Sequence, residues 1–340
     1  DDSMYMVDLL VGSDEQPITA QIDTGSSDFW VFANDNIDCG YNPYDIQGIA
    51  NCYEYGTFDL KSSKTFDFNS TFMTIEYGDA SIAKGVVGSD DVRFEDFTVD
   101  NLLFGVCELA NSSNPVMGIG FQSLQSVYTY DDPPKNIIYE SLPFRMTSQG
   151  LINQPAYSIQ LLPSSFEVNS SILFGAVDHS KYTGQLTSFP VAYAPDWDVP
   201  SYVGIKMNAI NFIDSDGVNS TLVDGSAYAY VDTGTSNSQL PTEVYDYITS
   251  NYFTYEESEN NYYADCSSVN STYLDFNFLG VSYVISLGNF VNDASDYEEG
   301  MCSLSISSTD SYICFGDDFL RSVYLAVNLE TEQIAMAYTN

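Results

Sequence analysis

What this chain most lacks is positive charge: 9 lysines and arginines stand against 48 aspartates and glutamates, a formal net charge of −39 over 340 residues. Nucleic-acid binding depends on clustered Lys and Arg that displace phosphate counterions, so the balance rules against that class of partner. An anionic membrane surface would repel the chain for the same reason. Histidine is almost missing too: the single copy, His179, sits in the polar turn Asp178-His179-Ser180-Lys181. That argues against a cysteine–histidine nucleophile and against a histidine-ligated metal. No metal and no other cofactor is expected. Long apolar runs are absent as well, and neither a leader-type segment nor an apolar anchor tail is present. The expectation is a processed, soluble, mature form.

The surplus of acid has a physical consequence of its own. Crowded carboxylates repel one another, and protonating some of them relieves the strain on the compact state. Stability from that source is present at low pH and lost as pH rises through the raised values. We expect a protein suited to mildly acidic surroundings, although solubility alone is a simpler use of net charge.

Six cysteines divide by position. Cys39 and Cys52 bracket a loop rich in Gly, Asn and Tyr, and Cys266 and Cys302 lie in the second half. Cys107 and Cys314 sit inside apolar runs and read as small buried hydrophobes, with a bridge between the two left open by the sequence. Asn-x-Ser/Thr sequons at Asn69, Asn111, Asn169, Asn219 and Asn270 join disulfide-style cysteines in favouring the secretory pathway and an extracellular location.

Most of the chain consists of short alternating apolar runs punctuated by Gly, Asn, Asp and Ser, the signature of an all-β protein. Met6–Val11, Ile18–Ile22, Phe72–Tyr77, Ile159–Leu162, Tyr228–Val231 and Val281–Leu287 are examples. Helices are few. Pro241-Thr242-Glu243 starts one running to about Tyr252, a second covers about Tyr139–Gln149, and a third begins at Asp317. The boundary between two halves is expected near Gly184–Pro190, giving lobes 1–185 and 186–340.

The strongest signal is a repetition. Asp23-Thr24-Gly25-Ser26 recurs as Asp232-Thr233-Gly234-Thr235, each copy ending an apolar run and followed by a hydroxyl residue. Two apolar residues and a glycine follow each copy at similar distance: Val116-Met117-Gly118, with Gly118 95 residues past Asp23, and Cys314-Phe315-Gly316, with Gly316 84 residues past Asp232. One such triplet is ordinary; paired copies in register imply a duplicated lobe. Two carboxylates from matching turns can share one proton and activate one water, which suffices to hydrolyse a peptide bond without metal or covalent intermediate. Gly25 and Gly234 let backbone amides approach the acids. Ser26 and Thr235 are placed to hydrogen-bond the outer carboxylate oxygens, which favours the ionised form; serine and threonine also cap turns for their own sake.

With these residues in view, the chain resembles the pepsin-family aspartic proteases, and in particular the secreted aspartic proteases of yeasts, the candidapepsin type. Asp23-Thr24-Gly25-Ser26-Ser27-Asp28-Phe29-Trp30-Val31 matches the first catalytic segment, Tyr77-Gly78-Asp79 the tip of the β-hairpin flap, and Ile313–Arg321 the segment before the last strands. The resemblance implies an all-β, bilobal pepsin-like fold: two β lobes related by a pseudo-two-fold axis, a central cleft and few short helices. It implies catalysis by Asp23 and Asp232, with Thr24 and Thr233 locking the two loops, and a monomeric enzyme acting on polypeptides. It further implies sensitivity to pepstatin-like inhibitors and a propeptide removed on activation. Its disulfide pattern pairs Cys39 with Cys52 and Cys266 with Cys302.

In the family the flap closes over bound peptide, with Tyr77 near Trp30 and with Gly78 and Asp79 bonding the substrate backbone. Tyr202 matches a residue lining the far side of the cleft. An acid at position 79 resembles fungal members that accept lysine before the scissile bond; aspartate also suits a hairpin turn for its own sake. Two other readings use the same residues differently. A pepsin-like protein can bind peptide or glycan without cutting, but such relatives usually lose an aspartate, a glycine or the flap tyrosine, all retained here. A glycosidase also uses two carboxylates, yet only composition speaks for it.

Overall fold

The structure, a computed structural model, describes residues 4–39, 52–163, 169–195 and 197–340. Tyr5–Ala156 forms one compact unit and Tyr157–Asn340 the body of another. This division falls earlier than the expected 185/186 boundary. The reason is that Ala156–Gln160, Ser171–Phe174 and Tyr182–Pro190 share one five-stranded sheet with the C-terminal strands Val323–Asn328 and Gln333–Thr339.

The first unit is built on an eight-stranded sheet. Strand Gln16–Asp23 buries Ile18 and Ala20 by simple alternation, then buries every residue from Ala20 to Asp23. Continuous burial is what a strand needs where neighbours cover both its faces. Within the sheet it pairs with Met6–Val11, antiparallel, and with Val116–Gly118, parallel, with Asp23 opposite Gly118. Phe29–Phe32 pairs with the other side of Val116–Gly118 and with Thr98–Ala110. All four of its apolar residues are buried, Trp30 completely, within a core that includes Met73, Val87, Cys107 and Val127.

Strands Asp67–Glu76 and Ile82–Arg93 form the expected hairpin, pairing from Glu76–Ile82 down to Asp67–Ser89. Its turn is closed by the Tyr77 amide donating to the Ser81 carbonyl and the Ala80 amide donating to the Tyr77 carbonyl, both 2.9 Å. Cys39 and Cys52 are disulfide-bonded; the loop between them, residues 40–51, lies outside the described residues.

The second unit contains a seven-stranded sheet that repeats this local plan. Asn219–Val231 runs parallel to Ile313–Phe315, pairing Ala229 with Ile313 and Val231 with Phe315. Gln239–Pro241 flanks the latter strand on its other side. Beneath lies a cluster of fully buried phenylalanines, Phe276, Phe278, Phe315 and Phe319, with ring centroids 4.2–6.2 Å apart. A four-stranded sheet completes the unit and holds the Cys266–Cys302 disulfide.

Helices occupy Thr242–Tyr252 and Asp317–Leu320, as the start signals indicate, while the segment expected over about 139–149 is helical only from Leu142 to Ser148. Two more short helices, Cys52–Tyr55 and Cys266–Asn270, have no sequence signal beyond Asp265, whose side chain caps the second. No helix among the described residues is long and apolar enough to cross a membrane.

Candidate active site

The two Asp-Thr-Gly loops are built alike, each inside its own unit. The Gly25 amide donates to Asp23 Oδ1 at 2.7 Å and the Ser26 hydroxyl donates to Asp23 Oδ2. The Gly234 amide donates to Asp232 Oδ1 at 2.8 Å and the Thr235 hydroxyl to Asp232 Oδ2 at 2.9 Å. Each carboxylate is thus held in plane by one backbone and one hydroxyl donor, the same atoms at the same offsets. Asp23 is buried, Asp232 half-buried, and Thr24 and Thr233 are fully buried behind them.

The repeated apolar-apolar-Gly triplets explain themselves in this geometry. Each triplet is the strand against which an aspartate loop rests. The Gly118 amide donates to the Asp28 carbonyl at 3.0 Å, and the Ile119 amide to the Asp23 carbonyl at 2.8 Å. A Cβ at Gly118 would lie 2.6 Å from the Ser27 and Asp28 amide nitrogens, and one at Gly316 would lie 2.5 Å from the Thr235 carbonyl oxygen. Only glycine lets the loop backbone come so near. The Asp232 amide donates to the Phe315 carbonyl at 2.9 Å, and the Asp317 amide to the Thr235 carbonyl at 2.9 Å.

Around Asp23, the indole N–H of Trp30 donates to the Tyr77 hydroxyl at 2.7 Å. Burial holds the Tyr77 phenol far above its usual pKa, and the charge of Asp23 pushes the same way. The tyrosine at the hairpin tip is therefore anchored beside the first aspartate. Gly78 and Asp79 are exposed, and Asp79 accepts the Ser81 amide at 2.8 Å, closing the turn in the manner of an Asx cap. Around Asp232, the Tyr202 ring packs at a tilt against Tyr230, with ring centroids 4.7 Å apart. Burial, then the Asp232 charge, raises the Tyr202 phenol.

Cys107 and Cys314 are free and buried. Burial raises both thiols, with the charge of Asp28 adding at Cys107 and that of Asp232 adding at Cys314, where hydrogen bonds to Tyr230 and Thr235 oppose it. Neither is poised as a nucleophile. His179 is exposed and its Nδ1 meets the Tyr182 hydroxyl at 2.5 Å. Of the sequon asparagines, Asn69, Asn169, Asn219 and Asn270 are exposed, while Asn111 is half-buried and accepts the Ile82 amide at 2.7 Å.

Two residues that lie inside the matched segments, but to which the sequence assigned no role, matter here. Asp28, 2% exposed, accepts the Tyr139 hydroxyl at 2.7 Å and the Ser126 amide at 2.8 Å. Asp318, also 2% exposed, accepts from the Ser238 amide at 2.9 Å, from the Ser238 hydroxyl, and from the Phe319 amide at 2.8 Å. Each ties the segment following an aspartate loop to a distant stretch of its own unit. Burial raises both carboxyls to about 6 against these donors. The available signal was an aspartate set directly against an apolar run, Phe29–Phe32 in one case and Phe319-Leu320 in the other.

Against known proteins, a family model described as eukaryotic aspartyl protease matches residues 4–339. Aspartic proteinase 3 of Saccharomyces cerevisiae is 30% identical over 98% of this chain and 69% of its own length. Secreted aspartic protease 7 of Candida albicans is 32% identical over 98% of this chain, which spans only 60% of that relative. Candidapepsin of Candida tropicalis is 31% identical over 98% of this chain and 78% of its own. The crystal structure of an aspartic proteinase from Irpex lacteus superposes with a TM-score of 0.79 at 19% identity, covering 99% of this chain and 94% of the other. The fold is shared.

Proposed function

This chain belongs to the eukaryotic aspartyl protease family, and from that premise we propose that it is an endopeptidase whose two aspartates, Asp23 and Asp232, hold one water between them. The observation that carries the reading is the identical dressing of the two carboxylates, each by a glycine amide and a hydroxyl from the residue three places on. Two like charges brought together share a proton over an acidic range, as in the aspartic-protease dyad that is the standard example of this effect. The ionised partner takes a proton from the water as it attacks the peptide carbonyl. The protonated partner donates to the carbonyl oxygen, and a proton passed to the amide nitrogen releases the fragments.

Tyr77, pinned by Trp30, and the backbone of Gly78 and Asp79 cover the substrate, and excluding water strengthens the electrostatics beneath them. Large apolar residues are accepted before the scissile bond, and Asp79 extends this to lysine. Tyr202 lines the opposite wall. The chain acts outside the cell as a monomer, freed from a propeptide and blocked by pepstatin-like inhibitors. Relatives whose names include "secreted" and four exposed sequon asparagines support that location. Hydrolysis of a denatured protein at pH 3–5, stopped by pepstatin and abolished in Asp232→Asn, is the expected result. Undiminished hydrolysis by Asp232→Asn would overturn the proposal.

A further inference from the structure

A cavity of about 740 Å³ opens in the second unit, away from the Asp-Thr-Gly turn but on the strand that leads to it. Its size is that of a ligand pocket. Tyr228 and Tyr312 form its aromatic wall, their rings meeting edge-on at 5.2 Å. Val223 adds an apolar patch, and Glu243, Asp310 and Ser311, all exposed, stand around it. The Thr242 hydroxyl donates to Asp310 Oδ1 at 2.7 Å, which fixes that carboxylate in the lining. Glu243 makes no ion pair among the described residues. Lys206, opposite Tyr228 in the β-ladder, does not line the cavity. Among the described residues the lining therefore offers aromatic and aliphatic walls with two acids and no base.

The cavity is connected to Asp232 by a row of rings. The Tyr228 and Tyr230 rings lie near parallel at 6.5 Å, and the Tyr230 and Tyr202 rings meet at a tilt at 4.7 Å. Tyr228 precedes Asp232 by four residues of strand, or roughly 13 Å at about 3.3 Å per residue. A substrate backbone lying extended advances by the same step, so that reach corresponds to three or four residues. Lysine and arginine lay their alkyl stems along apolar walls and present the cation to acids or to the face of a tyrosine.

We infer that this cavity is a distal specificity pocket for a lysine or arginine side chain of the polypeptide substrate, three or four residues from the scissile bond. The inference rests on the endopeptidase reading. Its test is a set of fluorogenic peptides carrying lysine, arginine, glutamine or norleucine in turn at the third and fourth positions on either side of one cleavage site. At one of those positions the wild type is expected to show kcat/KM about tenfold higher for lysine or arginine than for norleucine, the scale of an ion pair plus a cation–π contact. Glu243→Gln combined with Asp310→Asn brings that ratio close to one and leaves the norleucine peptide unaffected. Ser311→Arg, which places a tethered guanidinium in the cavity, does the same without removing an acid, and so controls for damage to the helix start at Thr242. Cleavage with no preference for the basic residues at any tested position, or a preference that survives both variants, overturns the pocket and leaves the protease reading standing. Failure to cleave any peptide overturns both.

Discussion

Replacing Asp28 by asparagine should make the first unit lose less stability between acidic and neutral pH. Asp28 is 2% exposed, and burial lifts its carboxyl from 3.8 to about 6 although two donors point at it. Well below pH 3.8 the group is protonated in both folded and unfolded chains, so it adds no pH dependence. Between 4 and 6 the unfolded chain ionises freely while the folded chain keeps its proton, and stability falls. Above 6 both forms are charged and the loss is complete. At 1.36 kcal/mol per pH unit, the difference between 3.8 and about 6 amounts to about 3 kcal/mol.

Asparagine imitates the protonated acid: its carbonyl oxygen can accept the Ser126 amide, and its amide can donate to the Tyr139 oxygen. The variant should match the wild type at pH 4 to within about 1 kcal/mol, the size of one rearranged hydrogen bond. On warming from pH 4 to pH 7 samples in a calorimeter, the wild-type Tm of the first unit should drop further than the variant's by about 6–12 °C, taking about 2–4 °C per kcal/mol for a unit of this size. All other carboxylates are common to both proteins and cancel in that difference. Parallel Tm–pH curves for the two proteins would show that Asp28 is not the titrating group and would refute the argument.

The other buried acid, Asp318 in the second unit, should behave alike. Burial raises it too to about 6, so it is protonated at pH 4 and Asp318→Asn should match the wild type in urea unfolding at pH 4 to within about 1 kcal/mol, then lose less stability than the wild type on going to pH 7. Gly316→Ala puts a methyl 2.5 Å from the Thr235 carbonyl oxygen and should cost about 1–3 kcal/mol in the same measurement, with pepstatin affinity falling alongside. Tyr77→Phe leaves the buried Trp30 N–H without its acceptor, which should destabilise the first unit by about 1–3 kcal/mol and lower kcat/KM on peptides; unchanged stability and kinetics would count against an anchored flap.

Much of this was readable in the sequence because the informative elements are local. The alternation of Ile18, Ala20 and Ile22 and the turn Tyr77–Ser81 need only a few neighbouring residues to declare themselves, and the two Asp-Thr-Gly copies do the same for the candidate acids. The role of Gly118 and Gly316 was visible as a repeat, but its reason, the close approach of the Ser27, Asp28 and Thr235 backbone, requires partners about 90 residues away. The acid preference was read from a charge of −39, whereas the structure adds two specific carboxyls held off water, Asp28 and Asp318. Periodicity could not single them out, since their neighbours Tyr139 and Ser238 become neighbours only by folding. The division of the chain at Ala156 was hidden for a similar reason: it depends on Ala156–Gln160 and Tyr182–Pro190 pairing with strands at the far end of the sequence.

The parallel pairings of Gln21–Asp23 with Val116–Gly118, and of Ala229–Val231 with Ile313–Phe315, join strands far apart in the chain. A parallel partner so remote in sequence must be found by loop closure late in folding, which makes such topologies slow to form. Until the distant strand arrives, neither aspartate turn has a floor to rest on. A chain emerging from the ribosome would thus possess its acids long before it possessed a site, and competence would come only when each half is nearly finished.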